Sequence, residues 1–549
     1  MFNIYQLLGI FGFLVVLLRA AILICQTVMV GGISFLLLAA RREELRPEGL
    51  LQASWKLIRW SALGLALSQL FFVITNSLVL TSSAKIPLRD VVGANFVLAG
   101  ALAVVAGLVI FLWPQSLQRM VNPLVLVPAG LMIAASVLTS HSASRMEGRV
   151  YLVGFTLLHY LATATWIGGL PYLLLAMRRV TDGPAKSEIA GNFSRLAQIS
   201  VAVLFGAGLA MSWVYVGSWA ALWGTSYGIM VSTKIALFGC LLLLGAANFY
   251  IVRGMNNGHP NGAKSLLRFG EVEIGIGLTV ILAAASLTSQ PPGADLPDDR
   301  VTLHEIAMRY GPRMPRFASP NVKELSASTK ETYKQAAVEG RTLPSAFVPG
   351  QFAAETTSAA DIAWSEYNHS WAGLIVFLMG ILAVLSRSRY FAWAKAWPLI
   401  FLGLAVFLFL RADPENWPLG PNGFWESFAV SDVLQHRAAV VLIIVFAVFQ
   451  YGVETGRVKS HAAALVFPGV CAVGGIVLLT HTHQLSNVKD AMLVELSHTP
   501  LALFAVVAGW SRWLELRLPE EDKTRKYLAW VWPVCFVIIG LILMDYHES

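Results

Sequence analysis

Residues 17–42, "LLRAAILICQTVMVGGISFLLLAARR", carry one charge, Arg19, before ending on Arg41-Arg42. A membrane-crossing helix needs roughly 20 apolar residues, and this run supplies them. The preceding "MFNIYQLLGIFGFLVV" has neither a basic n-region nor an A-x-A cleavage site, so it reads as part of the first span rather than as a signal peptide. The apolar run begins near Tyr5, too long for one span and too short for two.

The rest of the chain repeats this pattern. Of its 549 residues 56% are hydrophobic and 13% charged, and a soluble domain would carry about twice that charge. About fourteen spans are expected: 12–40, 55–80, 91–113, 120–140, 150–177, 195–217, 227–252, 269–289, 369–386, 392–411, 433–453, 462–480, 490–514 and 527–545. The expected fold is an all-α polytopic integral membrane protein in two bundles. Residues 1–290 form an eight-helix membrane domain, 291–367 a linker with one or two short helices, and 368–549 a six-helix membrane domain.

Loop charge sets the expected orientation. Arg41, Arg42 and Arg46, then Arg178, Arg179 and Lys186, then Arg253, Lys264 and Arg268 follow odd-numbered spans. Arg387, Arg389 and Lys395, Arg457 and Lys459, and Arg517, Lys523, Arg525 and Lys526 continue the series. Basic loops stay cytoplasmic, so both termini and the linker are expected to face outward, which in a bacterium is the periplasm. The formal charge of +8 sits in these short loops, so a nucleic-acid partner is not expected. Cys25, Cys240, Cys471 and Cys535 are scattered through apolar runs and read as buried thiols. With no Walker motif, DKTGT, GxSxG or HExxH, nothing points to ATP-driven pumping or hydrolysis, and no enzyme is expected.

Residues 157–179, "LLHYLATATWIGGLPYLLLAMRR", repeat the opening stretch. With Gly31-Gly32 aligned on Gly168-Gly169, both end in a double Arg, which suggests a duplication. His159 then falls on Ile22, so one copy lacks the imidazole.

The chain has 11 His. His259, His304, His461 and His547 lie in loops, in the linker or at the terminus and are expected to be solvated. His141, His369, His436, His481 and His483 fall at outward ends of expected spans. His159 and His498 lie about ten residues inside, a depth of about 15 Å. All seven share one side of the membrane. Ionisable groups at membrane depth are costly and usually functional, and imidazole suits copper, zinc and iron. Glu366, Asp413, Glu415, Glu426, Asp432 and Glu495 are the carboxylates available on that side to orient them. Trp166, seven residues after His159, shares its helical face. Pro500, two residues after His498, is expected to loosen the helix there. Lys234 and Glu273 are buried but lie at different depths, which argues against an ion pair.

"NFSRLAQISVAVLFGAGLAMSWVYVGS" (192–218), "TSYGIMVSTKIALFGCLLLLGAANFY" (225–250) and "LLRFGEVEIGIGLTVILAAASLTSQPP" (266–292), with the 157–179 stretch, resemble the bacterial copper resistance protein D (CopD/PcoD) family. "SEYNHSWAGLIVFLMG", "DPENWPLGPNGFWESF" and "LTHTHQLSNVKDAMLVELSHTPLALF" resemble the added C-terminal half of its longer members. The resemblance implies copper transport or homeostasis, beside a periplasmic copper carrier of the CopC type. It carries the metal role onto His141, His159, His369, His436, His481, His483 and His498. Longer members tend to show a double His where this chain has His369-Ser370, and no CopC-like domain is encoded. A haem-b electron carrier is the alternative from a different class, since paired His on neighbouring helices also hold haem. A subunit or assembly factor of a larger membrane complex is the third.

Overall fold

The structure, a computed structural model, describes residues 4–82, 86–114, 116, 122–257, 262–288, 290–321, 359–413, 416–420, 423–427, 431–479 and 488–547. His259, His481 and His483 lie outside them. Among the described residues, twelve helices are long and apolar enough to cross a membrane. Two shorter apolar helices, Asn95–Phe111 and Pro123–Leu138, fall on the expected third and fourth spans. This is an all-α polytopic membrane protein. It divides into two units, Leu7–Arg300 and Val301–Ser549 with Met1–Gln6.

Numbering the longer helices in chain order, the first unit contains α1 (Ile4–Ser34), α2 (Glu48–Ser82), α3 (Asn95–Phe111), α4 (Leu126–Leu138), α5 (Arg149–Trp166), α6 (Leu170–Arg179), α7 (Gly183–Val216), α8 (Ser226–Asn256) and α9 (Gly262–Leu287). Their boundaries follow cap chemistry. Asp182 accepts from the Ala185 amide at the start of α7, and Thr225 accepts from Gly228 at the start of α8.

The first glycines of the two repeat pairs, Gly31 and Gly168, meet. A Cβ on Gly31 would lie 2.2 Å from the Gly168 carbonyl carbon, and one on Gly168 would lie 1.9 Å from the Thr27 oxygen. Small residues let helix backbones approach this closely in lipid. Tyr172, one turn beyond, donates to the Val28 carbonyl at 3.0 Å. Each copy is distorted at or just beyond its glycines: α1 continues as a π turn over Phe35–Ala39, and α5 stops at Trp166 before α6 resumes at Leu170. Gly168→Ala is therefore expected to cost roughly 1–3 kcal/mol through overpacking. Its thermal transition in detergent should fall, while Gly49→Ala, which meets nothing within 4 Å, leaves it unchanged. An unchanged transition for Gly168→Ala would show that the helices do not cross at the repeat.

The second unit contains α10 (Ala359–Leu385), α11 (Ile400–Arg411), α12 (Ser431–Glu454), α13 (Val466–Leu478), α14 (Val488–Arg517) and α15 (Lys523–Met544). α14 runs unbroken through Pro500. α10 packs along α15, and α14 lies against α13 and α15. Trp397, Phe467 and Trp532 form its buried centre, with ring centroids 5.2–5.4 Å apart. Near the ends of α10 and α14, Glu515 binds Arg387 at 2.7 Å and Arg512 at 2.8 Å.

Candidate functional site

At the other end of α10, α14 and α15 the second unit gathers polar groups from distant parts of the chain. Each helix backbone orients its own imidazole. His369 Nδ1 lies 2.8 Å from the Ser365 carbonyl, and His498 Nδ1 lies 2.8 Å from the Val494 carbonyl. A carbonyl only accepts, so each Nδ1 carries the proton and each Nε2 keeps the lone pair that binds metals. The two rings stand edge-to-face with centroids 6.3 Å apart. Tyr546, just past α15, stacks on His369 at 3.9 Å and meets His498 edge-on at 5.8 Å.

Charged groups surround this triad. His547 is 8% exposed, with Nδ1 3.6 Å from Glu366 and Nε2 3.6 Å from Asp545. The terminal position had suggested a solvated ring; packing against α10 buries it instead. Arg316 pairs with Glu366 at 3.3 Å, and its backbone amide donates to Ser370 at 3.1 Å. The Arg313 amide reaches Asp545, and the Arg309 guanidinium lies 6.0 Å from the Tyr546 ring. Residues 309–316 of the expected linker thus pack on this end of the unit. They follow a short helix, Leu303–Arg309, opened by a Thr302–Glu305 capping box and tied to α14 by Lys489–Glu305 at 3.3 Å. Glu305 is held below the usual carboxylate range by its bonds to Thr302.

The remaining candidate histidines have other surroundings. His436 Nδ1 lies 2.7 Å from Asp413 Oδ1, a carboxylate that orients the ring. His141 opens a short helical turn, His141–Ser144, fastened by the Ser142 hydroxyl to Tyr215 at 2.8 Å. Its Nε2 is buried without a hydrogen-bond partner, and the ring lines a cavity of about 80 Å³ with Arg19, Gln69, Ser136, Tyr160 and Thr288. Burial, reinforced by Arg19, lowers its pKa and keeps it neutral. His159 turns away from that cavity. Successive helix residues point about 100° apart, and while Tyr160 lines it, His159 lies within electrostatic reach of Lys234 with a buried, unbonded Nδ1. His141 and His159 therefore do not share a pocket, whereas His369 and His498 share one cluster.

Among the described residues, no group of three or more His, Cys, Asp or Glu is arranged to hold a metal ion. Tyr546, Arg316 and the burial of His547 and Glu366 were not legible from spacing, because they come from segments far apart in the chain. Nor does Trp166 wall a site at His159: its indole donates to Glu273 Oε1 at 2.7 Å.

The family-model match falls on the first unit. Residues 187–287 match the family model "Copper resistance protein D". The chain is 30% identical over 165 residues to the copper transport protein CutJ of Bacillus subtilis (strain 168), covering 30% of this chain and 29% of that protein. No solved structure matches. The matched segment 187–287 contains none of the seven candidate histidines. The likeness to the copper resistance protein D family model thus lies in helices α7 to α9, not in the histidine cluster.

Proposed function

We propose that this protein is a copper-binding membrane protein of the bacterial inner membrane that serves copper transport or homeostasis. It binds and moves an ion and catalyses no reaction. The observation that carries this reading is the pair His369 and His498, brought to one cluster from two helices with both Nδ1 atoms committed to backbone carbonyls. Two neutral nitrogen donors add no charge to a low-dielectric site and suit copper in either oxidation state. The family match and the likeness to a copper transport protein support the choice of ion.

In this reading the histidine-bearing helix ends face the periplasm, as the basic loops at the opposite ends suggest. His481 and His483, which precede α14 in sequence, capture copper first. His369 and His498 receive it, His436 adds a donor in the second unit, and His141 and His159 serve the first unit. A separate CopC-type carrier supplies the ion. The haem-b alternative has less support, since Tyr546 fills the space beside both rings at 3.9 and 5.8 Å, where a porphyrin would need an open slot.

Purified full-length protein in nanodiscs, titrated with Cu(I) and Cu(II) under competing chelators, is expected to bind at least one copper tightly and to show no Soret band. Protein that binds no copper would overturn the reading. A Soret band that shifts on reduction would promote the haem alternative.

A further inference from the structure

The seven candidate histidines leave the half of the membrane nearer the basic helix ends without an assigned group, yet the first unit buries one there. Glu273 lies eleven residues into α9 and is 2% exposed. Trp166 of α5 donates to its Oε1 at 2.7 Å, and the Asn248 amide of α8 donates to its Oε2. Both donors are neutral. Asn248 Oδ1 is itself buried without a hydrogen-bond partner, in a residue 8% exposed. A carboxylate at membrane depth with no cation beside it is costly in its charged form.

The same carboxylate borders a cavity of about 390 Å³ between α6, α7, α8 and α9. Ser194 and Gln198 of α7 add polar groups to its wall, and Tyr250 of α8 is its other titratable residue. Among the described residues no Lys, Arg, His or Asp lines it, and α5, α6 and α7 contribute no titratable group to the lining. Arg178 and Arg268, the nearest basic residues along α6 and α9, bind Glu271 at 3.2 Å and lie off the lining. The cavity extends to Val252 and Leu266, and Val252 adjoins Arg253 in the last turn of α8. It therefore reaches from mid-helix to near the helix ends, with room for several waters.

We propose that Glu273 is a proton-binding site inside the membrane that takes its proton from, and returns it to, water in this cavity. Asn248 and Trp166 hold the carboxyl group in place in both states. When Glu273 is protonated, Asn248 Oδ1 accepts its hydrogen after the amide turns over. When Glu273 is ionised, the Asn248 amide donates to it. The donors can thus serve both forms without rearranging the helices. This site is independent of the copper reading, although it would supply a proton-linked step to a transporter.

The test uses full-length protein in liposomes. Infrared difference spectra between alkaline and acidic buffer are expected to show a protonated-carboxyl stretching band that disappears in Glu273→Gln. The glutamine keeps the shape and can donate to Asn248 Oδ1, so the helices have a partner in the variant. A band that persists in Glu273→Gln, or no pH-dependent band in the unmodified protein, would overturn the proposal. A second measurement needs no variant. A hydrophobic carbodiimide should attach to Glu273, read by mass spectrometry, several-fold faster in acid than in alkali. Labelling at Glu273 that is absent, or that runs at the same rate at both values, would also overturn it.

Discussion

Protein carrying both His369→Ala and His498→Ala is expected to bind copper at least about 100-fold more weakly than the unmodified chain, or about 2.7 kcal/mol. Loss of an orienting partner alone typically costs 10–100-fold in metal affinity, and here two proposed nitrogen donors go at once. Each single variant should already weaken binding, because the remaining ring keeps its carbonyl-fixed tautomer but loses the second donor. His304→Ala, in the short helix that packs nearby, serves as the control and should leave affinity unchanged. Thermal transitions recorded alongside separate a lost ligand from a lost fold, since Tyr546 also packs on His369. An unchanged copper titration in the folded double variant would remove these histidines from the site.

Glu515→Ala should be the most destabilising single change in the second unit, at about 3–5 kcal/mol. Glu515 is 5% exposed and faces two guanidiniums, Arg387 at 2.7 Å and Arg512 at 2.8 Å, while the Trp532 indole donates to it at 3.1 Å. Both arginines lie over the Trp532 ring, at 5.1 and 5.3 Å. Removing the carboxylate leaves two half-buried like charges against one aromatic ring, with Glu454, 3.2 Å from Arg512, as their remaining acidic neighbour. The expected result is a large fall in folded yield and in the thermal transition. Arg457→Ala, in a loop at that end of the unit, should change neither by much. A transition within a degree or two of the unmodified protein would mean that water reaches the arginines.

How far the site could be read in advance differed from residue to residue. His369 and His498 were legible because each interrupts an apolar run, and such an interruption is expensive in lipid. Their meeting was not legible, since it depends on α10 and α14 both packing against α15. His547 was misjudged for a related reason. A terminal position usually means solvent, but Glu366 and Asp545 give this ring two acidic neighbours. Glu273 was noticed as a buried charge, and its separation from Lys234 was anticipated. Its donors, Trp166 and Asn248, lie on two other helices, and one-dimensional periodicity carries no information about which helices adjoin.

The repeat shows the division most clearly. Apolar run length, the spacing of basic loops and the duplicated Gly-Gly stretches follow from local chemistry, because each backbone group in lipid must be satisfied within its own helix. Those features suffice for an all-helical membrane protein and for its alignment of Gly31-Gly32 on Gly168-Gly169. That Gly31 and Gly168 press against each other depends on contacts between remote segments. So do the tautomers' shared cluster at His369 and His498 and the cavity that opens on Glu273. Helices in a bilayer gain little from hiding apolar surface from one another, so shape fit and a few polar contacts select their neighbours. That selection exists only once the chain has packed.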